Sequence, residues 1–580
     1  MKGNSNRTWT QISSYLLVRT RAVRWANVVV LVGFAGLFFG VLSFAHEVTG
    51  HFRPAVQIDL SPWALPKYAL YSLSRGLAAF GLSVTFTLIY GYWAAKDQAA
   101  GRVLVPLLDI MQSIPVLGFM PGLVLALVAL FPSSNVGLEL ASIIMIFTGQ
   151  VWNMTFSFYH SLRTVPQDLR EASEVYRFSW WQRFRQVELP SSMIGLVWNG
   201  MMSMAGGWFF LMISESFVLG DKDFRLPGIG SYMSVAIHEG NVSAMISAIV
   251  AMIVMIVALD QLLWRPVVVW AQRFRVEEGA RDERVTSWFW ELLRRSNLVA
   301  LFSRAVRRMI RRFQRIPKPI AARLPPKPSA LPGRVASLAA LVFIVLGLMG
   351  GTWALVQIVH HLSLGQWGRI LGAGGVTLAR VIASTAIGTL WAVPAGLAIG
   401  LNPRLSRMLQ PVVQITASFP APMLFPLVVG GLSLAGIPLG WGSIMLMLMG
   451  TQWYILFNVI AGATAIPSDL KEAAQTYHLS RWRRFRTLYL PVILPYLVTG
   501  WVTAAGGAWN ASIVSEYVMY KGDGLTTWVL GSTISQAAEK ADLPLLAASV
   551  VVMALIVVLV NRTLCQRLYR LTEERFSLSK

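Results

Sequence analysis

The sequence carries little charge and almost no cysteine. Of its 580 residues, 13% are charged and 55% are hydrophobic, and the mean hydropathy is +0.56. An average soluble domain is about 25% charged. The single cysteine, Cys565, leaves no disulfide framework within the chain. Together these deficits exclude a soluble enzyme, a disordered protein and a disulfide-stapled secreted domain.

Long apolar segments stand where charge is missing, and they predict an all-α polytopic membrane protein. Each is about 20 residues long, enough to cross a hydrocarbon core of about 30 Å. The stretch 28–45 also resembles a cleaved signal peptide, but its basic N-terminal part is unusually long and its removal would leave an odd number of spans. The twelve predicted spans are 27–45, 70–95, 105–131, 138–163, 191–218, 243–264, 336–358, 375–401, 408–433, 441–463, 492–519 and 543–563.

Lysine and arginine are concentrated in both terminal tails and in the loop after the fourth span of each half. All four segments fall on one side of the membrane if twelve spans cross it, and a positive excess marks the cytoplasmic side. The sequence therefore predicts cytoplasmic N and C termini. The tails contribute Lys2, Arg7, Arg19, Arg21, Arg24, Arg562, Arg567, Arg570, Arg575 and Lys580.

The chain is internally duplicated. VPQDLREASEVYRFSWWQRFRQVELP (165–190) matches IPSDLKEAAQTYHLSRWRRFRTLYLP (466–491) at an offset of 301, and upstream an offset of 305 pairs Arg75 with Arg380. Six spans per half is an even number, so the repeats are parallel and can enclose a central pathway. The predicted domains are a first repeat, 1–264 (core 67–264), a linker, 265–334, and a second repeat, 335–580 (core 372–563).

The linker holds +12 of the net charge of +23. Its part 280–315 is basic and amphipathic, which is typical of a helix lying in the membrane interface on anionic lipids. A proline-rich extended spacer follows. A solvated tether is the alternative for the helical part, and nucleic-acid binding is disfavoured because the charge is juxtamembrane. The alternating residues are Trp288, Phe289, Leu292, Leu293, Leu301, Phe302, Met309 and Phe313 with Arg294, Arg295, Arg304, Arg307, Arg308, Arg311 and Arg312.

The duplicated loop is the most informative segment of the sequence. Pro166 and Pro467 suit the first turn of a helix, and acids follow where the positive end of the helix dipole favours them. Ser179 and Gln182 predict a capping box for a second short helix, whereas Arg483 replaces the glutamine in the second copy. Two short cytoplasmic helices suit docking into the groove of a partner protein. An ordinary surface loop is the alternative.

EASEVYRFS (171–179) and EAAQTYHLS (472–480), each followed by a leucine–proline pair, resemble the EAA loop of ABC importer permeases, the binding-protein-dependent inner-membrane components. In that family the loop is the coupling helix that seats in the ATPase subunit. DIMQSIPVLGFMPGL (109–123) resembles the third span of the nitrate/sulfonate/taurine branch. The family usually has glycine six residues after the loop's glutamate, where this sequence has arginine or histidine. The resemblance implies the ATPase-coupling residues Glu171, Ala172, Ser173, Tyr176, Arg177, Glu472, Ala473, Ala474, Tyr477 and His478.

The resemblance covers about 67–265 and 372–563 and implies a fused type I ABC importer fold in a bacterial inner membrane. The chain has no G-x-x-x-x-G-K-[ST] loop, so ATP and Mg²⁺ would bind a separate subunit and no cofactor is expected here. One fused chain would replace the permease dimer and bind two ABC ATPase subunits. An extracytoplasmic solute-binding protein would deliver the substrate. The branch implies a small anion such as nitrate, a sulfonate such as taurine, or bicarbonate.

Polar and small residues in the spans are candidates for the translocation pathway. The acids Glu215 and Glu516 are expected near the outer surface, either at a wet boundary or in an outer-gate or structural role. Glycines about halfway across allow either close helix packing or room for a ligand, and prolines in the third spans predict kinks that could form a gate. The pathway candidates are Gly206, Gly207, Trp208, Glu215, Gly506, Gly507, Trp509, Asn510 and Glu516, and the gate candidates are Pro115, Pro121, Pro420 and Pro426.

Two other functional classes remain open from the residues alone. A secondary, ion-coupled transporter can also have two parallel six-helix halves, but it would need buried ion or proton relays, and charged residues in the middle of the spans are few. A membrane enzyme is less favoured because no nucleophile–base pair or metal-ligand cluster is evident. The adjacent His360 and His361 do not have metal-site spacing.

Overall fold

In a computed structural model the chain is almost entirely helical. The residues that the structure describes are 27–33, 35–36, 39–40, 42–52, 56–219, 222–274, 287–297, 299, 301, 304, 308, 330–520, 523–565, 567–568 and 571–572.

The first half contains a helical series interrupted by one β-hairpin. Its elements are α1 (Leu65–Phe86), α2 (Gln98–Ser113), α3 (Val116–Leu130), α4 (Val136–Arg163), α5 (Gln167–Val175), α6 (Trp180–Arg183), α7 (Leu189–Ser214), β1 (Ser216–Leu219), β2 (Lys222–Arg225), α8 (Ile229–His238), α9 (Val242–Leu259) and α10 (Arg265–Ala271). In the linker, α11 (Trp288–Arg295) is described.

The second half repeats this order after one long additional helix. Its elements are α12 (Ala330–Val359), α13 (Leu364–Leu401), α14 (Pro403–Ser418), α15 (Phe425–Leu434), α16 (Leu439–Thr464), α17 (Ser468–Thr476), α18 (Arg481–Arg484), α19 (Leu490–Ser515), β3 (Tyr517–Tyr520), β4 (Asp523–Thr526), α20 (Leu530–Glu539) and α21 (Leu543–Val560).

The membrane-spanning helices agree with the predicted polytopic fold, but the predicted number of twelve spans is not confirmed. In the described part of the chain, nine helices are long and apolar enough to cross a membrane, and two bent helix pairs bring the number to eleven. The first predicted span, 27–45, lies partly outside the described residues. The fifth span of each half was predicted too long, because α7 ends at Ser214 and α19 at Ser515, and antiparallel β-hairpins follow.

The duplication extends to irregular backbone. Phe184–Glu188 and Phe485–Tyr489 are π-helical turns at the start of α7 and α19, and Asp260–Trp264 and Asn561–Cys565 are π-helical turns after α9 and α21. Each pair is separated by the same 301 residues as the matching sequences. Because such turns insert one residue into a helix, their recurrence places the two halves in the same local register.

The described chain divides into two compact units, which do not coincide with the two repeats. One unit comprises Met1–Glu47, His160–Trp198 and Val257–Val345, and it contains α5, α6 and α11. The other comprises Val48–Tyr159, Asn199–Ile256 and Leu346–Lys580, and it contains span helices from both halves. The division into two repeats and a linker stays a prediction.

Small residues allow close packing in the second unit. There α16 packs along both α13 and α19, and a Cβ on Gly396 would lie 2.7 Å from Val459 Cγ1. A Cβ on Gly400 would lie 2.5 Å from the Cβ of Ala463. Such small-residue contacts are typical of membrane helices, since lipid supplies no hydrophobic force between them. They hold the helix that precedes α17 firmly against its neighbours.

Candidate functional site

The two copies of the duplicated loop form the same helix–bend–helix structure. Pro166 and Pro467 stand at the N-caps of α5 and α17, one residue before the predicted first turn. At the other end, Arg177 and His478 have left-handed backbone, with φ of 48° and 47°. The bend therefore keeps the geometry for which glycine is favoured, even though neither copy has glycine there.

Backbone hydrogen bonds explain this bend. The Phe178 N–H donates to the Ser173 carbonyl and the Arg177 N–H donates to the Glu174 carbonyl, both at 2.9 Å. This pair of bonds is the Schellman motif, which closes a helix with one left-handed residue. In the second copy, the His478 N–H donates to the Gln475 carbonyl at 2.9 Å, and a bond of 3.2 Å from the next residue completes the same motif.

Exposure divides the loop residues into two groups. Ser173 and Ala474 are buried, at 1% and 5% of their accessible surface. Tyr176 and Tyr477 are 75% and 79% exposed. The other residues implied by the resemblance are also exposed, namely Glu171, Ala172, Arg177, Glu472, Ala473 and His478. Each loop thus uses one small residue to pack inward and presents the rest outward.

The second short helix also follows the sequence. Ser179 and Gln182 form the predicted capping box at the start of α6. Ser480 accepts a hydrogen bond from the Arg483 N–H at 3.4 Å, but the reciprocal side-chain bond is absent from the described second copy. The predicted capping box in the first copy and the predicted lack of one in the second copy are both confirmed. Outward-facing tryptophans, Trp181 and Trp482, add apolar surface beside the tyrosines.

The third predicted span of each half is bent. The axes of α2 and α3 differ by 98°, and α14 and the helix beyond it differ by 80°. The breaks occur at Pro115, the N-cap of α3, and at Pro420. Pro121 lies inside α3 and Pro426 lies in the first turn of α15, so the sharp bends are not at these two prolines.

The mid-span glycines do not all face the same surroundings. A Cβ on Gly207 would lie 2.3 Å from Gln150 Nε2, and one on Gly507 would lie 3.2 Å from Tyr454, so these glycines serve helix packing. A Cβ on Gly506 would meet no described atom within 4 Å. One on Gly206 would meet only the Tyr454 hydroxyl, at 3.5 Å. These last two positions border open space.

The neighbouring pathway candidates are packed rather than open. Trp208 and Trp509 are each 2% exposed, and Trp208 lies against Gly76. Asn510 connects the two halves, because its Oδ1 accepts a hydrogen bond from the Val116 N–H at 2.8 Å. That N–H is in the first turn of α3, directly after the break at Pro115.

Glu215 lies in a buried ionic cluster, so the alternative of a wet boundary is wrong. It accepts hydrogen bonds from Arg75 Nη1 at 2.8 Å, from Ser72 Oγ at 2.7 Å and from the Gly230 N–H at 2.7 Å. Arg75 also donates from Nε and Nη2 to the carboxylate of Glu139 at 2.6 and 2.7 Å. All three ionic side chains are 0% exposed. Removal of one member of such a cluster would leave an uncompensated buried charge, which is strongly destabilising.

Glu516 occupies the equivalent cluster in the second half. It accepts hydrogen bonds from Arg380 Nη1 at 3.3 Å, from Thr377 Oγ1 at 3.1 Å and from the Gly531 N–H at 2.9 Å. In both halves the glutamate ties the end of a span to the helix after the hairpin. The sequence argument missed these arginine partners, although the pairing of Arg75 with Arg380 across the duplication was the available signal.

Metal-ligating side chains are scattered in the part of the chain that the structure describes. Within that part, no group of three histidine, cysteine, aspartate or glutamate side chains could hold a metal ion. The rings of His360 and His361 lie 3.7 Å apart, and His360 Nδ1 contacts the Gln357 carbonyl.

The described part of the linker is an amphipathic helix, α11. Ser287 caps its first turn, and Trp288 donates from Nε1 to Gln261 Oε1 at 3.1 Å. Arg273 lies over the Trp290 ring at 5.7 Å. The predicted interfacial residues that fall outside the described residues are Phe302, Arg307, Met309, Arg311, Arg312 and Phe313, together with most of the proline-rich spacer.

Comparison with known proteins yields relatives of one kind. The chain is 30% identical to the bicarbonate transport system permease protein CmpB of Synechococcus elongatus over 144 residues, covering 25% of this chain and 50% of CmpB. It is 29% identical to the nitrate import permease protein NrtB of Leptolyngbya laminosa over 144 residues, covering 24% and 50%. It is 25% identical to the taurine transport system permease protein TauC of Escherichia coli over 199 residues, covering 34% and 68%.

The chain therefore spans about half the length of the bicarbonate and nitrate permeases that it resembles. The family model for the binding-protein-dependent transport system inner membrane component matches twice, at 87–263 and 388–577. These two matches cover more than half of the chain and coincide with the two copies seen in the structure. The chain is thus a multi-pass membrane protein with two tandem permease repeats, and it belongs to the family of binding-protein-dependent transport system inner membrane components.

Proposed function

We propose that this chain is the permease subunit of an ATP-driven importer and forms the pathway for a small anion such as nitrate, a sulfonate like taurine, or bicarbonate. The observation that carries the proposal is the pair of matching loops, α5–α6 and α17–α18, each with exposed tyrosine, tryptophan and glutamate side chains. Such surfaces suit helix-in-groove docking. Two of them on one chain support two ABC ATPase subunits, which would bind ATP and Mg²⁺.

In this proposal the residues of each loop have different roles in coupling the permease to the ATPase. Ser173 and Ala474 anchor the helices inward, and the exposed Tyr176 and Tyr477 enter the partner's groove. The acids Glu171 and Glu472, with Ala172 and Ala473 beside them, line the docking face, and Arg177 and His478 set the bend. The Schellman bonds support this arrangement, since they fix the direction of the second short helix relative to the first.

The pathway itself would pass the open glycines. Gly206 borders space beside the Tyr454 hydroxyl, and a Cβ on Gly506 would meet no described atom within 4 Å. The bends at Pro115 and Pro420 would serve as gates. The packed Gly207, Gly507, Trp208, Trp509 and Asn510 would support the walls, while Glu215 and Glu516 would hold them.

The surroundings of the complex follow from the charge of the chain. The basic tails and loops support cytoplasmic N and C termini in a bacterial inner membrane. An extracytoplasmic solute-binding protein would deliver the anion to the opposite side. In α11 the exposed Arg294 and Arg295 follow an amphipathic tryptophan-rich turn, which supports contact between the linker and anionic lipid headgroups.

The buried acids do not favour the ion-coupled alternative. A proton or ion relay needs a carboxylate that can load and release its ion. Glu215 is held by Arg75, and Glu516 is held by Arg380, each with a further backbone N–H donor. A carboxylate that exchanged ions would have to break these hydrogen bonds in every cycle. The importer proposal accounts for the duplicated loops as well, and the ion-coupled one does not.

The test is transport by a variant with both docking faces reversed in charge. Glu171→Arg combined with Glu472→Arg should abolish uptake and release the ATPase on purification, because each new arginine replaces an exposed acid on a docking helix. Uptake of labelled bicarbonate, nitrate and taurine would be measured together with co-purified ATPase. For the unaltered chain we expect about two ATPase subunits per chain.

A matched control keeps the result specific. Glu291→Arg reverses an equally accessible acid in α11, where the side chain is 60% exposed and contacts only Arg295 among its described ion-pair partners. This variant should transport normally. Normal uptake by the well-expressed double variant, or uptake by the unaltered chain without any ATPase or ATP, would overturn the proposal.

A further inference from the structure

The two buried arginine–glutamate clusters differ by one carboxylate. In the first half, Arg75 is bonded to both Glu139 and Glu215. Glu139 lies in the first turn of α4. At the 301-residue offset that relates α4 to α16, the equivalent position is Gly440. Arg380 therefore has Glu516 but lacks a counterpart of Glu139.

The missing carboxylate leaves a specific pair of donors. Arg75 uses Nε and Nη2 for Glu139, in a bidentate pair with bonds of 2.6 and 2.7 Å. Arg380 uses Nη1 for Glu516 and for Thr527 Oγ1, at 3.3 and 3.1 Å. Its Nε and Nη2 donate to no acceptor in the described part of the chain. These are the same two nitrogens that hold Glu139 in the first half.

There is also room beside these donors. A Cβ on Gly440 would meet only Arg380 Nη2 within 4 Å, at 3.5 Å, among the described atoms. The Arg380 side chain is 13% exposed, whereas that of Arg75 is fully buried. The Arg380 side chain therefore retains accessible surface, while the position of Arg75 is filled by protein.

We propose that the Arg380 guanidinium, at the space left by Gly440, binds a planar oxyanion such as nitrate, bicarbonate or a small carboxylate. The forked N–H groups of arginine match two coplanar oxygens, and a single-atom anion cannot span them. With Glu516 ionised the Arg380 cluster is neutral, and one bound anion gives it the net charge of −1 that Glu139 gives the Arg75 cluster. The site goes beyond the proposed function, since binding does not require transport.

The direct test is anion binding to the purified full-length chain in detergent. Equilibrium dialysis with labelled formate should give one site per chain. Formate and nitrate, in place of chloride at constant ionic strength, should raise the midpoint of thermal unfolding by about 1–2 °C with saturation. The phosphate of a lipid headgroup is a second source of paired oxygens. Stabilisation by added phosphatidylglycerol but not by formate or nitrate would overturn the commitment to a free planar anion.

Three variants make the site specific. Gly440→Glu supplies the missing carboxylate, so it should raise the midpoint without anion and remove formate binding. Gly440→Ala is the matched control and should retain binding, because its Cβ would make only an ordinary contact with Arg380. Arg380→Lys keeps the charge, loses the fork and should lose the preference for planar anions.

The reciprocal variant tests the comparison between the halves. Glu139→Gly leaves the Nε and Nη2 donors of Arg75 without their carboxylate. Formate should therefore restore the thermal stability of this variant, and the number of bound formate ions should rise to two per chain. Unchanged formate binding in Gly440→Glu, or absence of any anion-specific shift in the unaltered chain, would overturn the proposal. Neither result depends on ATPase partners or uptake, so failure here is distinguishable from failure of the importer proposal.

Discussion

At the scale of single residues, the two duplicated loops contain left-handed positions without glycine. Arg177 and His478 have φ of 48° and 47°. A non-glycine residue in this region costs about 1–2 kcal/mol, and here the two backbone bonds of each Schellman motif offset that cost. The resemblance to glycine-containing loops identified the position of the bend. It did not establish that arginine and histidine would adopt the same backbone.

This strain predicts an order among substitutions of His478. Glycine should maintain or increase hydrogen-exchange protection of α17, because it adopts left-handed backbone without steric cost. Valine should reduce that protection by about 1 kcal/mol or more, because a β-branched side chain is least compatible with positive φ. Hydrogen exchange measured by mass spectrometry on the purified chain can compare them.

The control for the His478 series is Gln475→Val, in the same helix but at ordinary helical backbone. It should cost only the small difference in helix propensity. Equal loss of protection in His478→Val and Gln475→Val would contradict a left-handed conformation at the bend.

The buried glutamates show what residue spacing can and cannot predict. Counting along the helix predicted that Glu215 and Glu516 lie near the outer surface, and in the structure they directly follow the last residues of α7 and α19. It did not reveal their partners, because Arg75 is 140 residues away from Glu215 and Arg380 is 136 away from Glu516. A distance along one helix contains no information on which helix lies opposite. Only the duplicated arginine could have suggested the pairing.

At the scale of elements, the bent third span depends on a contact from the other half. The break at Pro115 leaves the N–H groups of the first turn of α3 without partners within their own helix. Asn510 of α19 supplies an acceptor to one of them, the Val116 N–H. In the second half the bend at Pro420 has no equivalent asparagine, since Phe209 occupies the position that corresponds to Asn510.

Removal of this cap should destabilise α3. Asn510→Ala should lower the stability of the chain by about 1–2 kcal/mol, as the loss of a capping side chain does, and it should reduce uptake more than expression. Thermal unfolding in detergent and uptake in membrane vesicles would measure the two effects.

Asn458→Ala provides the comparison for the cap. Asn458 donates to the Tyr454 carbonyl four residues earlier in its own helix, so its removal breaks no described hydrogen bond between helices. It should leave both measurements nearly unchanged. Equal effects of the two alanine variants would show that the bond to Val116 has no special role.

Helices and strands could be predicted where their sequence pattern extends over many residues. Helical spans of 20 residues or more were predicted because burial in lipid requires continuous apolar sequence. The first strand of each hairpin, β1 or β3, was missed because it follows closely after α7 or α19 and is as apolar as the spans. Proline predicted that the third spans would bend. It did not distinguish Pro115 from Pro121, because either proline predicts a kink when it is taken as an interior residue of one continuous span.

At the scale of the whole molecule, helices of the two halves pack directly on each other within the second unit. Gly118 of α3 lies against α21, where its added Cβ would stand 2.7 Å from Val550 Cγ2. The absence of a side chain is thus required for this contact between the halves. Overfilling a packed interior typically costs about 1–3 kcal/mol.

The contact between Gly118 and Val550 predicts that one substitution destabilises the chain and that a second one restores its stability. Gly118→Ala should lower the thermal unfolding midpoint of the purified chain, and Val550→Ala should restore most of it in the double variant, because it removes the clashing methyl group. Gly122→Ala, one turn away in α3, meets no described atom within 4 Å and should have little effect. Destabilisation by Gly118→Ala that Val550→Ala does not relieve would contradict the packing of α3 on α21.

The overall architecture could be predicted from the sequence because the sequence contains two similar copies of it. Segments that match at offsets of 301 and 305 predicted the duplication, and the tandem family match and the repeated π-helical turns agree with it. The contacts between the repeats were not accessible. They join residues with different identities in the two copies, such as Val116 and Asn510, so the internal repeat does not disclose them.

Because the two halves are covalently joined in one chain, they can evolve differently from two identical subunits. In a pore assembled from two identical polypeptides, every mutation appears on both walls at once. Here Asn510 faces one broken span while Phe209 occupies the corresponding place on the other copy, and each is encoded separately. Selection can therefore modify one half and leave its twin unaltered, so this chain is free to lose the twofold symmetry that two identical polypeptides must keep.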